Sequence, residues 1–524
     1  MWLYLKRILT KRLDLLIIII LSLMVLLTRI PFMSHFLYEY DSVSYALAFQ
    51  HFNISLYQPQ APSYIFFVAL GKIVNLFFNN PNSSMIFISI VFSILTVILV
   101  YFLAKQMFSR EIGVVACIFL IFNYVFWLYG ETATIYMCES LFATLIAYTS
   151  YQLLRGDNRF LYISSIVLGL AGGFRQDLIV FMFPLWFFCL VYHDFEYKKL
   201  FKALIVLIAS AITWFIPTIL LSGGLWNYLH LDHAQLIVYS IQSSSIFFGA
   251  SLLNQLTMDN TLLIWTIFEI GVFTIVILLF YTYFNFQSVF RISNFKNPKI
   301  KFLILWIMPA FLFYLLLYIA QEGYTLVYLP VFALMVGYVT INLSSDLNKK
   351  FKILPKNYLI VLIVVFCALF SISTFFSWDY GSIQLEDNDF HYVNQSLMKF
   401  NPNNSIVFFA DMNDWRKSMY YNPSYESYYS PNVFNSSLGP KLLTMEYYKD
   451  HQMKLYQGHD FVIHLNSSIN NIIWMGIADT EFYEQVKYKI GFNVIYLPDG
   501  NVICYSEVKN NTNITIDNIT FIKD

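Results

Sequence analysis

Some ionisable residues of this chain stand at the ends of long apolar runs, where a charge is costly and usually has a task. The first is Asp41, in Tyr38-Glu39-Tyr40-Asp41-Ser42-Val43-Ser44-Tyr45; Asp41 and Tyr45 are four apart and share a face if the segment is helical. Glu131 and Glu139 flank Tyr136, Arg175 and Gln176 follow Gly172-Gly173-Phe174, and Glu322 opens Glu322-Gly323-Tyr324. Lys72 lies in the apolar stretch Ile65–Phe78. Carboxylates and an arginine brought to one membrane face suit the binding of an anionic headgroup and the activation of a hydroxyl. Each residue also has a plainer reading. Asp41 could cap a helix, Lys72 could snorkel to lipid headgroups, Arg175 could pair with Asp177, and Glu139 could be a buried hydrogen-bonded carboxyl. His230, Asp232 and His233 read as a solvated loop, since two histidines three apart beside one aspartate are a weak metal signal.

The elements that must position these groups are membrane spans. The chain has 524 residues, of which 58% are hydrophobic and only 12% charged. Soluble proteins carry about 25% charged residues. This excludes a disordered chain and an ordinary cytosolic enzyme, and the zero net charge gives no sign of a nucleic-acid partner. The five cysteines form no CxxC pair and read as small packing residues. A span needs about 20 apolar residues. Runs near 14–32, 85–104, 112–129, 136–154, 160–174, 177–193, 203–221, 261–286, 302–320, 326–344 and 357–377 predict about eleven transmembrane helices, the first an uncleaved one. Nearly all basic residues of 1–377 fall in alternate loops, which predicts a cytoplasmic N-terminus and an extracytoplasmic tail. Only Arg29, Lys72 and Arg175 lie on the outer side. The net zero is therefore a membrane part of +7 balanced by a tail of −7.

The expected organisation is a transmembrane domain over 1–377, with a first outer loop at 33–84, and a small α/β extracytoplasmic domain over 378–524. In the loop, Gln58-Pro59-Gln60-Ala61-Pro62-Ser63-Tyr64 predicts a fixed turn, because prolines three apart cannot be helix interior. Ile65–Phe78 is too short to span and predicts an interfacial helix. In the tail, Ser405–Ala410 and Phe461–Leu465 predict strands and Thr480–Ile490 a helix. Asn493–Leu497 and Asn501–Ser506 predict a hairpin across Pro498-Asp499-Gly500. Asp411, Asp414, Trp415 and Arg416 invite a sugar-binding reading, with ordinary loop chemistry the plainer one.

Over residues 1 to about 345 the chain resembles the GT-C superfamily of polyprenyl-phosphate-sugar-dependent glycosyltransferases, in the branch of the protein O-mannosyltransferases and aminoarabinose transferases. The resemblance rests on Asp41-Ser42-Val43-Ser44-Tyr45 after the first span, the turn Gln60-Ala61-Pro62-Ser63-Tyr64, the Glu131…Tyr136…Glu139 pattern, and Gly172-Gly173-Phe174-Arg175-Gln176. In the turn, a histidine, a proline and a glycine of the family's usual HPPGY-like sequence are replaced. The resemblance implies a polyprenyl-phosphate sugar donor and an acceptor hydroxyl on a protein, lipid or glycan. Asp41 would be the base, with Arg175, and Lys72 beside it, on the phosphate. Glu131 and Glu139 would bind sugar hydroxyls or orient Arg175; Tyr45, Gln176 and Glu322 complete the expected substrate site. No cofactor follows, and branches of the superfamily differ in metal use, so the reading carries no metal. The alternative is a transporter or flippase of lipid-linked sugars, for which Glu269, inside the eighth run, is the best residue. A membrane scaffold that only presents the tail is the third possibility.

Overall fold

The computed structural model describes residues 2–523, except 194–195, 234–235, 237–240, 286–295, 319–320, 322, 352–353, 410, 430–440, 447–451, 458–460, 476–492, 498–501, 510–511 and 517–518. The expected Thr480–Ile490 helix, the Pro498-Asp499-Gly500 turn and Glu322 lie outside the described residues. The helices are α1 (Trp2–Arg29), α2 (Tyr40–Gln50), α3 (Ile65–Phe78), α4 (Pro81–Met107), α5 (Arg110–Phe122), α6 (Tyr124–Glu131), α7 (Tyr136–Leu154), α8 (Phe160–Phe174) and α9 (Asp177–Val191). They continue as α10 (Tyr197–Leu221), α11 (Leu225–His233), α12 (Leu252–Ile270), α13 (Val272–Phe284), α14 (Pro298–Leu316), α15 (Leu329–Phe351), α16 (Lys356–Thr374), α17 (Tyr380–Leu397) and α18 (Met412–Tyr421).

Two compact units emerge, one of Met1–Met33 with Ala61–Gly381, the other of Ser34–Gln60 with Ser382–Asp524. The split near 381 lies close to the expected boundary. The outer loop is different: residues 34–60 cluster with the tail, because Phe36 packs on Phe390 and Tyr421 and α2 packs on α18.

The first unit makes this a multi-pass membrane protein. Among the described residues, six helices are individually long and apolar enough to cross a membrane, and two bent helix pairs could each add one more span. Helices α3, α8 and α9 are apolar but shorter. Two runs that look continuous in sequence are broken. At α5–α6 the bend is 61°: the Asn123 side chain accepts from Phe126 N (3.1 Å) and donates to Glu269 O (2.5 Å), so a cap interrupts the apolar run. At α12–α13 the bend is 87°, and Gly271 there adopts φ 92°, a left-handed conformation glycine tolerates. Asp14, in the first span, is matched by Lys105, by Arg110 (3.0 Å) and by Tyr101 Oη (2.7 Å), which offsets the cost of a carboxylate there. Helices α8 and α10 approach closely at Gly169, whose carbonyl accepts from Trp214 Nε1 at 2.7 Å.

The second unit is α/β, as expected. Strands β1 (Ser405–Phe409), β2 (Glu426–Tyr429), β3 (Lys441–Glu446), β4 (Gln452–Gln457), β5 (Phe461–His464), β6 (Asn471–Met475), β7 (Asn493–Tyr496), β8 (Val502–Glu507), β9 (Thr512–Ile516) and β10 (Ile519–Lys523) form two sheets. The larger runs β4-β3-β2-β1-β6-β8-β7 and the smaller β5-β10-β9. β1 pairs parallel with β2 and β6, and β7 pairs antiparallel with β8, Asn493 opposite Tyr505. β1 is buried on both faces. Ile406 and Phe408 join one core with Trp474 and Phe521; Val407 and Phe409 join the other with Trp415 and Phe390. Such two-sided burial is why this strand reads as a continuous apolar run rather than an alternating one.

Candidate active site

In the membrane unit the site is built around Arg175, which caps α8 and is 8% exposed. Its Nη1 donates to the fully buried Glu139 of α7, and its Nε donates to both oxygens of Asp177, at 3.1 and 2.9 Å. The guanidinium lies over the rings of Tyr324 (5.2 Å) and Tyr136 (5.9 Å). Tyr324 is itself stacked on Tyr314 at 4.6 Å, and Tyr136 sits 4.5 Å from Tyr129. Among the described residues, Nε and Nη1 are the guanidinium nitrogens with hydrogen-bond partners, which leaves Nη2. Two carboxylates and two aromatic faces therefore fix the arginine in one rotamer and leave one edge for a ligand oxygen. A held guanidinium loses little further entropy on binding an oxyanion.

The turn beside it is strained and tied down. Ser63 and Tyr64 adopt φ 107° and 47°. Such angles cost about 1–3 kcal/mol for a residue with a side chain and persist where neighbours over-determine them. Here Gln176 Nε2 donates to Pro62 O (3.0 Å), and Ser63 Oγ lies 3.1 Å from Thr218 Oγ1. Ser63 occupies the place of the glycine in the HPPGY-like turn, and its positive φ is the physical reason a glycine suits it. Gly173 has a different reason. A Cβ there would lie 2.3 Å from the Phe66 ring, so the glycine lets α3 close on α8 just before Arg175.

The remaining expected residues separate. Gln176 uses both ends of its amide within the protein, since its Oε1 also accepts from Tyr228 Oη at 2.9 Å. Glu131 is fully buried, accepts from Trp127 Nε1 at 3.0 Å and interacts electrostatically with Arg29. Lys72 is exposed on α3 beside exposed Ile73, and no described hydrogen bond or ion pair joins it to the Arg175 cluster. Glu322 is outside the described residues. Its neighbour Gly323 donates from its backbone to Glu269 Oε1 (3.1 Å), which holds the segment that carries Tyr324.

In the second unit, Asp41 is half-buried in the first turn of α2, where Glu39 and Ser42 make the capping box. The cap is thus Glu39, and Asp41 does not have that task. Tyr45 is buried, its hydroxyl accepting from Gln60 Nε2 at 3.1 Å. Arg29 went unassigned in the sequence reading. It is fully buried, with Nη1 on Ile121 O (2.7 Å) and Nη2 on Phe126 O (3.3 Å). Its place among the three outer basic residues was the available signal. Asp411 N-caps α18, accepting from Asn413 N and Asp414 N, so that stretch is a helix start rather than loop. Among the described residues no group of three or more His, Cys, Asp or Glu could hold a metal ion.

The sequence model of the dolichyl-phosphate-mannose-protein mannosyltransferase family matches residues 60–221, which carry Glu131, Glu139 and Arg175. The structure is similar to that of ArnT from Cupriavidus metallidurans bound to undecaprenyl phosphate, with TM-score 0.56 and 10% identity over 94% of this chain and 97% of that one. The fold is of the GT-C type. The oligosaccharyltransferase of Archaeoglobus fulgidus is also similar, with TM-score 0.51 and 14% identity, over 97% of this chain and 76% of that one. Comparison with curated proteins gives no significant match. Helices α2 and α3 follow the first span on either side of the proline-containing turn.

Proposed function

We propose that this chain is a polyprenyl-phosphate-dependent glycosyltransferase whose acceptor is a hydroxyl at the outer face of the membrane. The observation that carries the reading is the Arg175 cluster, a buried guanidinium gripped by Glu139 and Asp177 through Nη1 and Nε, which leaves Nη2 for a ligand. A phosphate oxygen of the donor binds at that edge. As the acceptor oxygen attacks the anomeric carbon, the C–O bond to phosphate breaks and negative charge grows on the departing polyprenyl phosphate. A fixed cation is then worth most, because it binds the transition state better than the bound donor. Asp41 takes the proton of the acceptor hydroxyl. Glu139 holds Arg175 in place. The N-terminus is cytoplasmic and the tail extracytoplasmic, the orientation that the loop charges favour.

The transporter reading would use Glu269 and the broken helices as an ion site. Those groups are already engaged, Glu269 by Gly323 N and Asn123 by the Glu269 carbonyl. Mass spectrometry of surface glycans and lipid-linked sugars, in cells lacking the protein and complemented with variants, tests the proposal. Loss of the protein should abolish one glycan and build up a polyprenyl-phosphate sugar. Wild type should reverse both changes and Asp41→Asn neither, at equal protein level. A normal glycan profile with Asp41→Asn would remove Asp41 from the mechanism.

A further inference from the structure

The loop that carries Asp41 is held by the tail. Arg416, one residue beyond Trp415 in α18, is fully buried. Its Nη2 reaches Tyr57 O at 2.6 Å, Leu56 O at 3.3 Å and Ser44 Oγ at 3.4 Å, and its guanidinium lies 5.0 Å from the Tyr40 ring centroid. One side chain therefore ties the first turns of α2 to the 3-10 turn Ile54–Leu56 and its left-handed cap Tyr57. Tyr40 and Ser44 bracket Asp41 along α2, so fixing both fixes the rotation of the helix and the direction in which Asp41 projects.

Two further anchors hold the approach to α2. Asp387 accepts from Ser34 Oγ and Phe36 N through Oδ1, at 3.0 and 3.1 Å, and from His35 N through Oδ2, at 2.7 Å. Tyr421 Oη accepts from Leu37 N at 3.0 Å. These anchors come from α17 and α18 and hold the start of the loop segment, Arg416 holds its end at Leu56 and Tyr57, and the two helices pack on β1 and β6 through Phe390 and Trp415. A planar guanidinium holds its donors in a rigid fork while its face stacks on a ring, a geometry the compact ammonium of a lysine does not reproduce.

We infer that the tail acts as a holder of the loop that carries Asp41, and that Arg416 is its positioning residue. The inference rests on Asp41 being the base in the proposed reaction. Its structural part can be read without that assumption.

The experiment is hydrogen exchange by mass spectrometry on the full-length protein in nanodiscs, with transfer to acceptor measured on the same samples. Arg416→Met should raise exchange of the amides of 42–57 at least tenfold, leave β1 and β6 protected, and lower kcat at least tenfold. Arg416→Lys, which keeps the charge but not the planar fork, should fall between wild type and Arg416→Met in both readings. Unchanged exchange over 42–57 in Arg416→Met would overturn the inference, as would loosened exchange with full turnover. If Arg416→Met also unprotects β1 and β6, Asp387→Asn decides. It should raise exchange at 35–37 and lower kcat with the sheet intact, and no change in exchange there would overturn the inference. Asp41→Asn separates the two readings. Loss of transfer with native exchange supports the base, whereas retained transfer removes the base and leaves the exchange results to stand alone.

Discussion

Arg175 and Glu139 form a buried ion pair, and removing one partner leaves the other charge uncompensated. Such losses cost about 3–5 kcal/mol, whereas removing both partners together can be nearly neutral. Arg175→Met should therefore lower the thermal midpoint, and Arg175→Met with Glu139→Gln should recover most of it. Neither variant should recover turnover, because both lack the cation for the departing phosphate. A fixed donor of this kind is worth about 10²–10³ in rate. Thermal unfolding beside a transfer assay checks both halves. A double variant that regains turnover along with stability would make Arg175 a structural residue only. The sequence identified Arg175 and Glu139 because they interrupt apolar runs. It could not separate Glu131 from Glu139, since both are acidic and lie at one junction. Only the fold shows that Glu131 faces Arg29 and Trp127 while Glu139 faces Arg175.

Among the elements, α18 titrates where it matters. Asp414 lies in its first turn, and burial pushes its carboxyl up to about 7, with Asp411, Glu386 and Asp389 adding to the rise and Lys417 opposing it. The ordinary value is 3.8. Between about pH 4 and 7 the folded state then holds a proton that the unfolded chain has released, so stability falls as pH rises through that window. Asp414→Asn should flatten that decline in a series of thermal midpoints, and an unchanged slope would contradict the assignment. Elements were legible where one local rule decides them. The proline spacing marks the turn before α3, and the apolar run bounds α3 at Ile65–Phe78 as predicted. Breaks inside apolar runs were not legible. Asn123 ends α5 through a side chain that also reaches Glu269 O, 146 residues away, and no local pattern encodes that bond.

For the molecule as a whole, the multi-pass character was legible from composition and apolar runs, but about eleven runs were expected where six helices, or up to eight with the bent pairs, are long and apolar enough to span among the described residues. The allegiance of residues 34–60 was not legible, because it depends on Asp387, Tyr421 and Arg416, more than 300 residues later. The orientation can be tested with little background, since all five cysteines are buried. A cysteine placed at the exposed Asn466 should react with a membrane-impermeant maleimide on intact cells, and one at the exposed Gly156 only after lysis. The reverse pattern would invert the proposed topology. The central claim is transfer from a polyprenyl-phosphate sugar, and its most direct test is purified protein in nanodiscs with radiolabelled sugar on that donor. Membrane extract supplies the acceptor, and release of polyprenyl phosphate is followed by chromatography. Wild type should release polyprenyl phosphate in step with label in acceptor, and Arg175→Met about 10²–10³ less. Equal release by wild type and Arg175→Met, or label moved across the bilayer with the sugar–phosphate bond intact, would contradict the claim.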